Sequence, residues 1–314
     1  MSSPAVSIVV ATYNRSQVLR YAIGSVLAST LPDWELIVVG DHCTDDTADV
    51  VGTFAEADER IRFENLPQRV GHQSGPNNRG VALARGRYVA FLNHDDLYLP
   101  DHLATCAAEL DRGEADLVWA PAAAVRKAPG ERAGREAVTF DLIGVPPRGE
   151  YTPFPFYIAS SWMFRRELAS SVGAWTGAGA TWVTPSQAWL FRAWRSGARL
   201  RFVRRLGVVV ILSGERRGSY NERESPEHEL LVQWMREDPA FRERVLEEAA
   251  LRAAEDAMSH RYHEPGKALL RALASPLYSL LTASGIHPVT LNMAIRHGRR
   301  GAFIRYHRRL TGAR

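Results

Sequence analysis

Thiol chemistry is nearly absent from these 314 residues: there are two cysteines, Cys43 and Cys106, and no CxxC pair. A disulfide framework is therefore not indicated, and a reducing cytoplasmic setting fits. No stretch approaches about 18 uninterrupted apolar residues, so no membrane span is expected. The opening "MSSPAVSIVVATYN" lacks a basic leader and reads as a buried strand, not a signal peptide. Internal repeats and low-complexity segments are missing. "VVATYNRS", after the first apolar run, contains no GxGxxG, which disfavours a dinucleotide-dependent oxidoreductase. Acid is missing from Pro265 to Arg314, where nine Lys and Arg residues fall; the net charge of +4 thus leaves −5 on the rest.

What is present is enough for a large core. The chain is 46% hydrophobic and 24% charged, which excludes global disorder and suits one domain of about 200–250 residues plus an extension. "VSIVVAT" (Val6–Thr12) is a continuous β-branched run, as in a strand buried on both faces. A helical pattern follows, with Ser16 as candidate N-cap. "WELIVVG", "IRFENL" and "YVAFLN" read as further strands, separated by helices that begin near Thr44, at "PNNRG" and at Pro100. "ADLVWAPAAAV" reads as one more strand, and residues 127–150 as a loop or insertion. "YIASSWMFRREL" enters a helix, "PSQAWLFRAWRSG" is helical, "LRFVRRLGVVVIL" is a strand pair, and the chain beyond Glu227 is mostly helical. The β-α-β-α order implies a mostly parallel sheet flanked by helices, an α/β fold with a Rossmann-like half.

In open parallel sheets, ligands bind beyond the carboxyl ends of the strands. Three polar clusters occupy such ends: "ATYNR" (Ala11–Arg15), "GDHCTDDT" (Gly40–Thr47) and "NHDD" (Asn93–Asp96). Singly, each has an ordinary reading; Asp45 and Asp46, for example, suit a helix N-terminus. Their shared placement favours one crevice.

These residues, in "VSIVVATYNRSQVLRYAIGSVLASTLPDWELIVVGDHCTDDT" and "GRYVAFLNHDDLYLPDHL", resemble the family 2 glycosyltransferases of GT-A fold. The resemblance is specific from Val6 to Val125 and persists more weakly to Leu212. It implies a domain over residues 1–225, with a nucleotide-sugar-binding half (1–125) and an acceptor-binding half (126–225), followed by a helical, basic extension (226–314). It also implies an inverting transfer from a nucleotide-diphosphate sugar, UDP-linked by expectation, to a hydroxyl of a saccharide, lipid-linked or small-molecule acceptor. Carried over, Ala11 and Tyr13 border the base, with Arg15 beside them on the donor side. Asp41 accepts from the uracil imide, Asn78 lies near base and ribose, and His94 lies near the ribose. "NHDD" matches a DxD-type motif, with Asp95 holding Mn²⁺ or Mg²⁺ against the diphosphate and Asp96 supporting the turn into the next helix. Hard oxygen ligands suit such an ion, and the diphosphate itself supplies several. Arg216 and Arg217, beside Gly218, suit a mobile loop closing on the diphosphate; a solvated basic loop is the other reading. His228 is read as structural ahead of a further metal ligand.

Two departures stand in the donor half. Asn93 replaces a frequent Asp and is a poor metal ligand, and Gly40-Asp41 keeps only the second acid of a usual pair. A third departure lies in "TWVTPSQAWLFRAW": relatives carry the general base near the start of this helix, but Ser186, Gln187 and Ala188 offer no carboxylate, and Ala188 is the expected position. Either the acid has been substituted, naturally or deliberately, or the base lies elsewhere, or the chain is a catalytically silent nucleotide-sugar-binding protein. Trp162, Trp175, Trp182, Trp189 and Trp194 are read mostly as core, with one or two available to stack on a sugar. The tail, "LNMAIRHGRRGAFIRYHRRLTGAR", is read first as a helix packing on the catalytic domain and second as a peripheral contact with the inner face of a membrane. No nucleic-acid-binding module is visible.

Overall fold

The computed structural model describes residues 3–127, 138–211, 225–263 and 276–311. Two sheets organise them. The larger contains β1 (Val6–Thr12), β2 (Trp34–Gly40), β3 (Ile61–Asn65), β4 (Tyr88–Phe91), β6 (Leu117–Trp119), β9 (Trp162–Arg165) and β10 (Leu200–Phe202), in the order β10-β6-β9-β4-β1-β2-β3. The pairs from β3 through β2 and β1 to β4 are parallel, as is β10 with β6, while β9 runs antiparallel to both its neighbours. The smaller sheet contains β5 (Asp96–Tyr98), β7 (Ala122–Lys127), β8 (Val138–Ile143) and β11 (Val208–Ile211), in the order β5-β11-β7-β8.

The helices are α1 (Ser16–Leu27), α2 (Thr47–Ala57), α3 (Ser74–Leu83), α4 (His102–Asp111), α5 (Arg166–Val172), α6 (Pro185–Arg195), α7 (Pro226–Glu237), α8 (Phe241–His263), α9 (276–283), α10 (Val289–His297) and α11 (Ala302–Thr311). The β-branched run of β1 is explained by its two covered faces. Val6, Ile8 and Val10 pack with Leu19, Ile23 and Val26 of α1, whereas Val9 packs with Ile37, Val39 and Phe91. Gly80 permits α3 to close on that second face, because a Cβ there would lie 2.2 Å from Val9 Cγ1.

The second sheet is where sequence and structure part. "ADLVWAPAAAV" is two strands, β6 and β7, divided at Pro121, which has no N–H to donate and ends the first ladder. "LRFVRRLGVVVIL" likewise divides into β10 and β11, which belong to different sheets. The segment read as a loop over 127–150 holds β8, paired antiparallel with β7. Asp96 opens a strand, β5, instead of leading into a helix. The outer layer of this sheet comes from beyond residue 225: Leu231 of α7 and Phe241, Val245 and Ala249 of α8 are buried with Leu97, Phe140 and Val209.

Candidate functional site

The parallel register of β1 and β2 ends with Thr12 opposite Gly40, so the first two polar clusters emerge side by side. Side chains then fasten them together. Thr44 N–H donates to Asn14 Oδ1 at 2.8 Å, and Asn14 Nδ2 donates to Thr44 Oγ1 at 3.2 Å. Asn14 and His42 both adopt left-handed backbone, with φ of 46° and 61°, in the two loops that must turn most sharply. Ser16 is not the cap of α1; it is the first helical residue, and its hydroxyl donates to Asp46 Oδ1 at 2.6 Å. Asp45 accepts from the Thr47 N–H at 3.1 Å. Asp45 and Asp46 therefore organise the two helix starts, as their chemistry favours.

Gly40 and Asn65 form a clamp behind these loops. Asn65 Oδ1 accepts from Cys43 N–H at 2.7 Å, and its Nδ2 donates to the Cys43 carbonyl at 2.9 Å. A Cβ on Gly40 would lie 2.5 Å from Asn65 Oδ1, so the position excludes any side chain while Asn65 holds this pose.

Beyond the strand ends lies a cavity of about 220 Å³, lined in part by Ala11, Tyr13, Asp41 and His94, which the sequence nominated together. Asp41 is buried, and its two carboxylate oxygens accept from Val70 N–H and Gly71 N–H, each at 2.7 Å. Its first role is thus to shape the loop that forms the wall. Tyr13 carries the Arg69 guanidinium 3.8 Å above its ring centroid, so one ring face is already covered by a cation. Thr12, from the first polar cluster, and Pro185, from the start of the helix expected to carry the base, also line the cavity; sequence reading missed Arg69, Gly71, His72, Gln73, Pro76 and Arg308. Arg69 to Gln73 sit in a loop without periodicity, and Arg308 arrives from more than two hundred residues away; neither carries a local signal. Burial holds His72 below the usual histidine range, and the positive charge of Arg308 adds to this while Asp41 opposes it.

The two neighbouring aspartates differ sharply. Asp96 is 1% exposed, and its Oδ2 accepts from Asn93 Nδ2 at 2.8 Å and from the Ser160 hydroxyl at 2.5 Å. Burial, then the charge of Asp95, pushes its pKa well above the carboxylate range. Asn93 thus spends its amide N–H on Asp96. Asp95 is only half-buried. Its carbonyl oxygen lies 2.9 Å from His228 Nε2. A carbonyl only accepts, so Nε2 carries the proton, and Nδ1 accepts from the Ser225 hydroxyl. Fully buried and stacked on Tyr21 at 5.6 Å, His228 has a pKa lowered to about 4, chiefly by burial. It supports the Asp95 backbone from behind. His94, also lowered by burial, hydrogen-bonds the Ala11 backbone. The positive charge of buried Arg15 and the negative charge of Asp95 act in opposite directions on both histidines. Arg15 and Asp95 do not line the cavity itself.

The opposite wall is the start of α6, where Pro185 faces the cavity. Thr184 caps this helix, accepting from Gln187 N–H at 3.5 Å. The first turn contains no acid. Ser186 is buried against the Thr184 hydroxyl at 3.1 Å, and Gln187 bonds the Tyr157 backbone through both ends of its amide, at 2.6 and 3.3 Å. Ala188, half-buried, is the one member of the trio without such a task. Asn78 does not line the cavity; its amide engages the Trp175 backbone, donating at 3.0 Å and accepting at 2.7 Å. Trp162, Trp175 and Trp189 interlock as core, with centroids 6.2 to 6.5 Å apart; Trp182 and Trp194 are half-buried. Arg216 and Arg217 lie outside the described residues. Among the described residues, no group of three or more His, Cys, Asp or Glu side chains is disposed to hold a metal ion, and no helix is long and apolar enough to cross a membrane.

Comparison with known proteins gives the family and the fold. The chain is 36% identical over 115 residues to the GalNAc(5)-diNAcBac-PP-undecaprenol beta-1,3-glucosyltransferase of Campylobacter jejuni, a stretch that covers 36% of each protein. The matched stretch spans about a third of the length of the curated relatives. TarS of S. aureus (residues 1-349, in complex with UDP-GlcNAc) superposes with a TM-score of 0.54 at 16% identity, covering 94% of this chain and 92% of that one. The mannosyltransferase PcManGT of Pyrobaculum calidifontis, in complex with GDP-Man and Mn2+, gives 0.53 at 20% identity, covering 94% and 87%. At such identities these two likenesses establish the GT-A fold. Residues 7–173, more than half of the sequence, match the family described as Glycosyl transferase family 2, and the chain belongs to that family.

Proposed function

We propose that this chain is a metal-dependent, inverting glycosyltransferase. It moves a sugar from a nucleotide-diphosphate donor, UDP-linked in the first instance, to an acceptor hydroxyl in polysaccharide or glycoconjugate synthesis. The observation that carries the reading is the cavity at the carboxyl ends of β1 and β2, where Tyr13, Asp41 and His94 meet beside Asp95. A family of sugar transferases and two fold relatives solved with nucleotide sugars support it. In this reading residues 1–125 serve the donor, 126–225 the acceptor, and 226–314 form the extension.

Divalent metal fits the donor set in one way. A single half-buried carboxylate, Asp95, without a surrounding cage, suits Mg²⁺ or Mn²⁺ that arrives with the donor and takes most of its ligands from diphosphate and water. Such an ion would neutralise charge developing on the leaving diphosphate. The protein's own part is to hold Asp95 in place through His228, to seat the base against Tyr13, and to exclude water by closing the cavity. Asn93 contributes indirectly, by holding Asp96.

The acid-free start of α6 favours a second reading, a base-substituted protein that binds the nucleotide sugar without transferring it. Titrating UDP, GDP and dTDP sugars with and without Mn²⁺, then assaying transfer and hydrolysis for the wild type and Ala188→Asp, separates the two. Transfer by the wild type establishes the enzyme; transfer gained only by Ala188→Asp locates the missing base. Binding without turnover in both chains leaves the silent binder standing. A peripheral membrane contact belongs to the same proposal. Leu280 is exposed on α9, and Ile295 and Tyr306 on α10 and α11, which carry Arg296, Arg305, Arg308 and Arg309, a composition that anionic bilayers attract.

A further inference from the structure

The basic tail does more than pack on the domain. Gly301, just before α11, donates its N–H to the Thr181 carbonyl at 2.9 Å. Its φ is +68°, and a Cβ there would lie 2.7 Å from the Ala178 carbonyl oxygen and 3.0 Å from Gly179 Cα. The start of α11 is thus seated on the loop that leads into α6. Seven residues later, a rise of about 10 Å, Arg308 reaches the other rim of the cavity. A Cβ on Gly71 would lie 2.9 Å from Arg308 Nη1, and Arg308 is among the residues lining the cavity with Asp41, His72 and Tyr13. The helix therefore crosses the mouth from the acceptor wall to the donor wall.

The chemistry of that mouth suits an anion. Both oxygens of Asp41, the acid that lines the cavity, already accept backbone N–H groups, whereas Arg69 and Arg308 bring two guanidinium groups to the same loop. The tail from Pro265 onward contains no acid at all. A guanidinium held at a partly enclosed pocket offers forked donors to phosphate or carbonyl oxygens.

We propose that Arg308 is a donor-binding residue: α11 straps the cavity and places its guanidinium on the bound nucleotide, making the C-terminal tail part of the donor site. This rests on the reading that the cavity takes a nucleotide-diphosphate donor. A charge-assisted hydrogen bond of the usual strength predicts a loss of affinity of about 10- to 100-fold on its removal.

The test is calorimetric titration of the full chain with UDP, with and without Mn²⁺, for the wild type, Arg308→Ala, Arg308→Lys, Gly301→Val and the double variant Gly301→Val/Arg308→Ala. Arg308→Ala should weaken UDP by about 10- to 100-fold and Arg308→Lys by less. Gly301→Val, which forces the helix off Ala178, should weaken binding too. The double variant should be no weaker than Arg308→Ala, because both changes remove one contact. Unchanged UDP affinity in Arg308→Ala, or full additivity in the double variant, overturns the inference. A wild type that binds none of UDP, GDP and dTDP instead overturns the donor reading. In that event, NMR titration of His72 still reports the placement. Loss of the Arg308 charge should raise its midpoint, since Arg308 lowers it against the opposing pull of Asp41. An unmoved midpoint shows that α11 does not lie there.

Discussion

The two walls of the cavity are built on opposite principles. The wall at the strand ends is dense with polar fastening: Asn14 to Thr44, Asn65 to Cys43, Asp41 to the 70–71 backbone, Asp96 to Asn93 and Ser160. The facing wall is the start of α6, whose polar side chains turn to Tyr157 and Thr184 and leave Pro185 on the cavity. Preorganised polar groups act on charge that develops in a reaction. In the proposed reading the first wall would face the leaving diphosphate, whereas the second holds no acid in its first turn.

The strongest way to break this contrast is to exchange the fates of the adjacent aspartates. Asp95→Ala should abolish metal-dependent nucleotide binding in calorimetry while leaving the urea midpoint nearly unchanged. Asp96→Ala should do the reverse, costing roughly 2–4 kcal/mol in urea melts because it strands the buried donors of Asn93 and Ser160. Equal effects of the two variants on binding would erase the distinction. Next in size is pH. Burial lowers His102, His228 and His287 each to about 4, so the unfolded chain takes up their protons first. Their contribution to stability is complete above about pH 6.5 and is lost as pH falls toward 4, on the order of 1 kcal/mol or more per pH unit. Urea melts at pH 7.5, 6 and 5 should show that decline, and His228→Gln should make it less steep while His102 and His287 keep the remainder. Smaller is Asp41→Ala, which leaves Val70 and Gly71 N–H groups without their acceptor; about 1–3 kcal/mol of stability and at least a tenfold drop in UDP affinity are expected. Smallest is Ala188→Asp on stability: a carboxylate near the helix start should add only a few tenths of a kcal/mol, up to about 1. A large loss on thermal melting would mean that the position is tighter than its half-burial suggests.

Legibility in the sequence followed locality. β1, β2 and their polar exits were readable because hydrophobic runs and strand ends are local signals, and Ala11, Tyr13, Asp41 and His94 do meet in one cavity. The partner of Asn78 was not readable, because nothing near it reveals that Trp175, about a hundred residues on, engages its amide. The division of "ADLVWAPAAAV" was visible in Pro121, but the partner strand β8 was masked by the Gly- and Pro-rich composition around it. Arg69 and Arg308 were invisible for the same reason as Asn78: their roles come from tertiary proximity, not from pattern.

The Gly40 and Asn65 clamp also constrains the protein's engineering. Restoring the paired acids of the family resemblance by Gly40→Asp would drive the new side chain into Asn65 Oδ1, 2.5 Å from where its Cβ must sit. Such a graft therefore requires Asn65 to leave its present pose or to be replaced, and with it the two hydrogen bonds that hold Cys43.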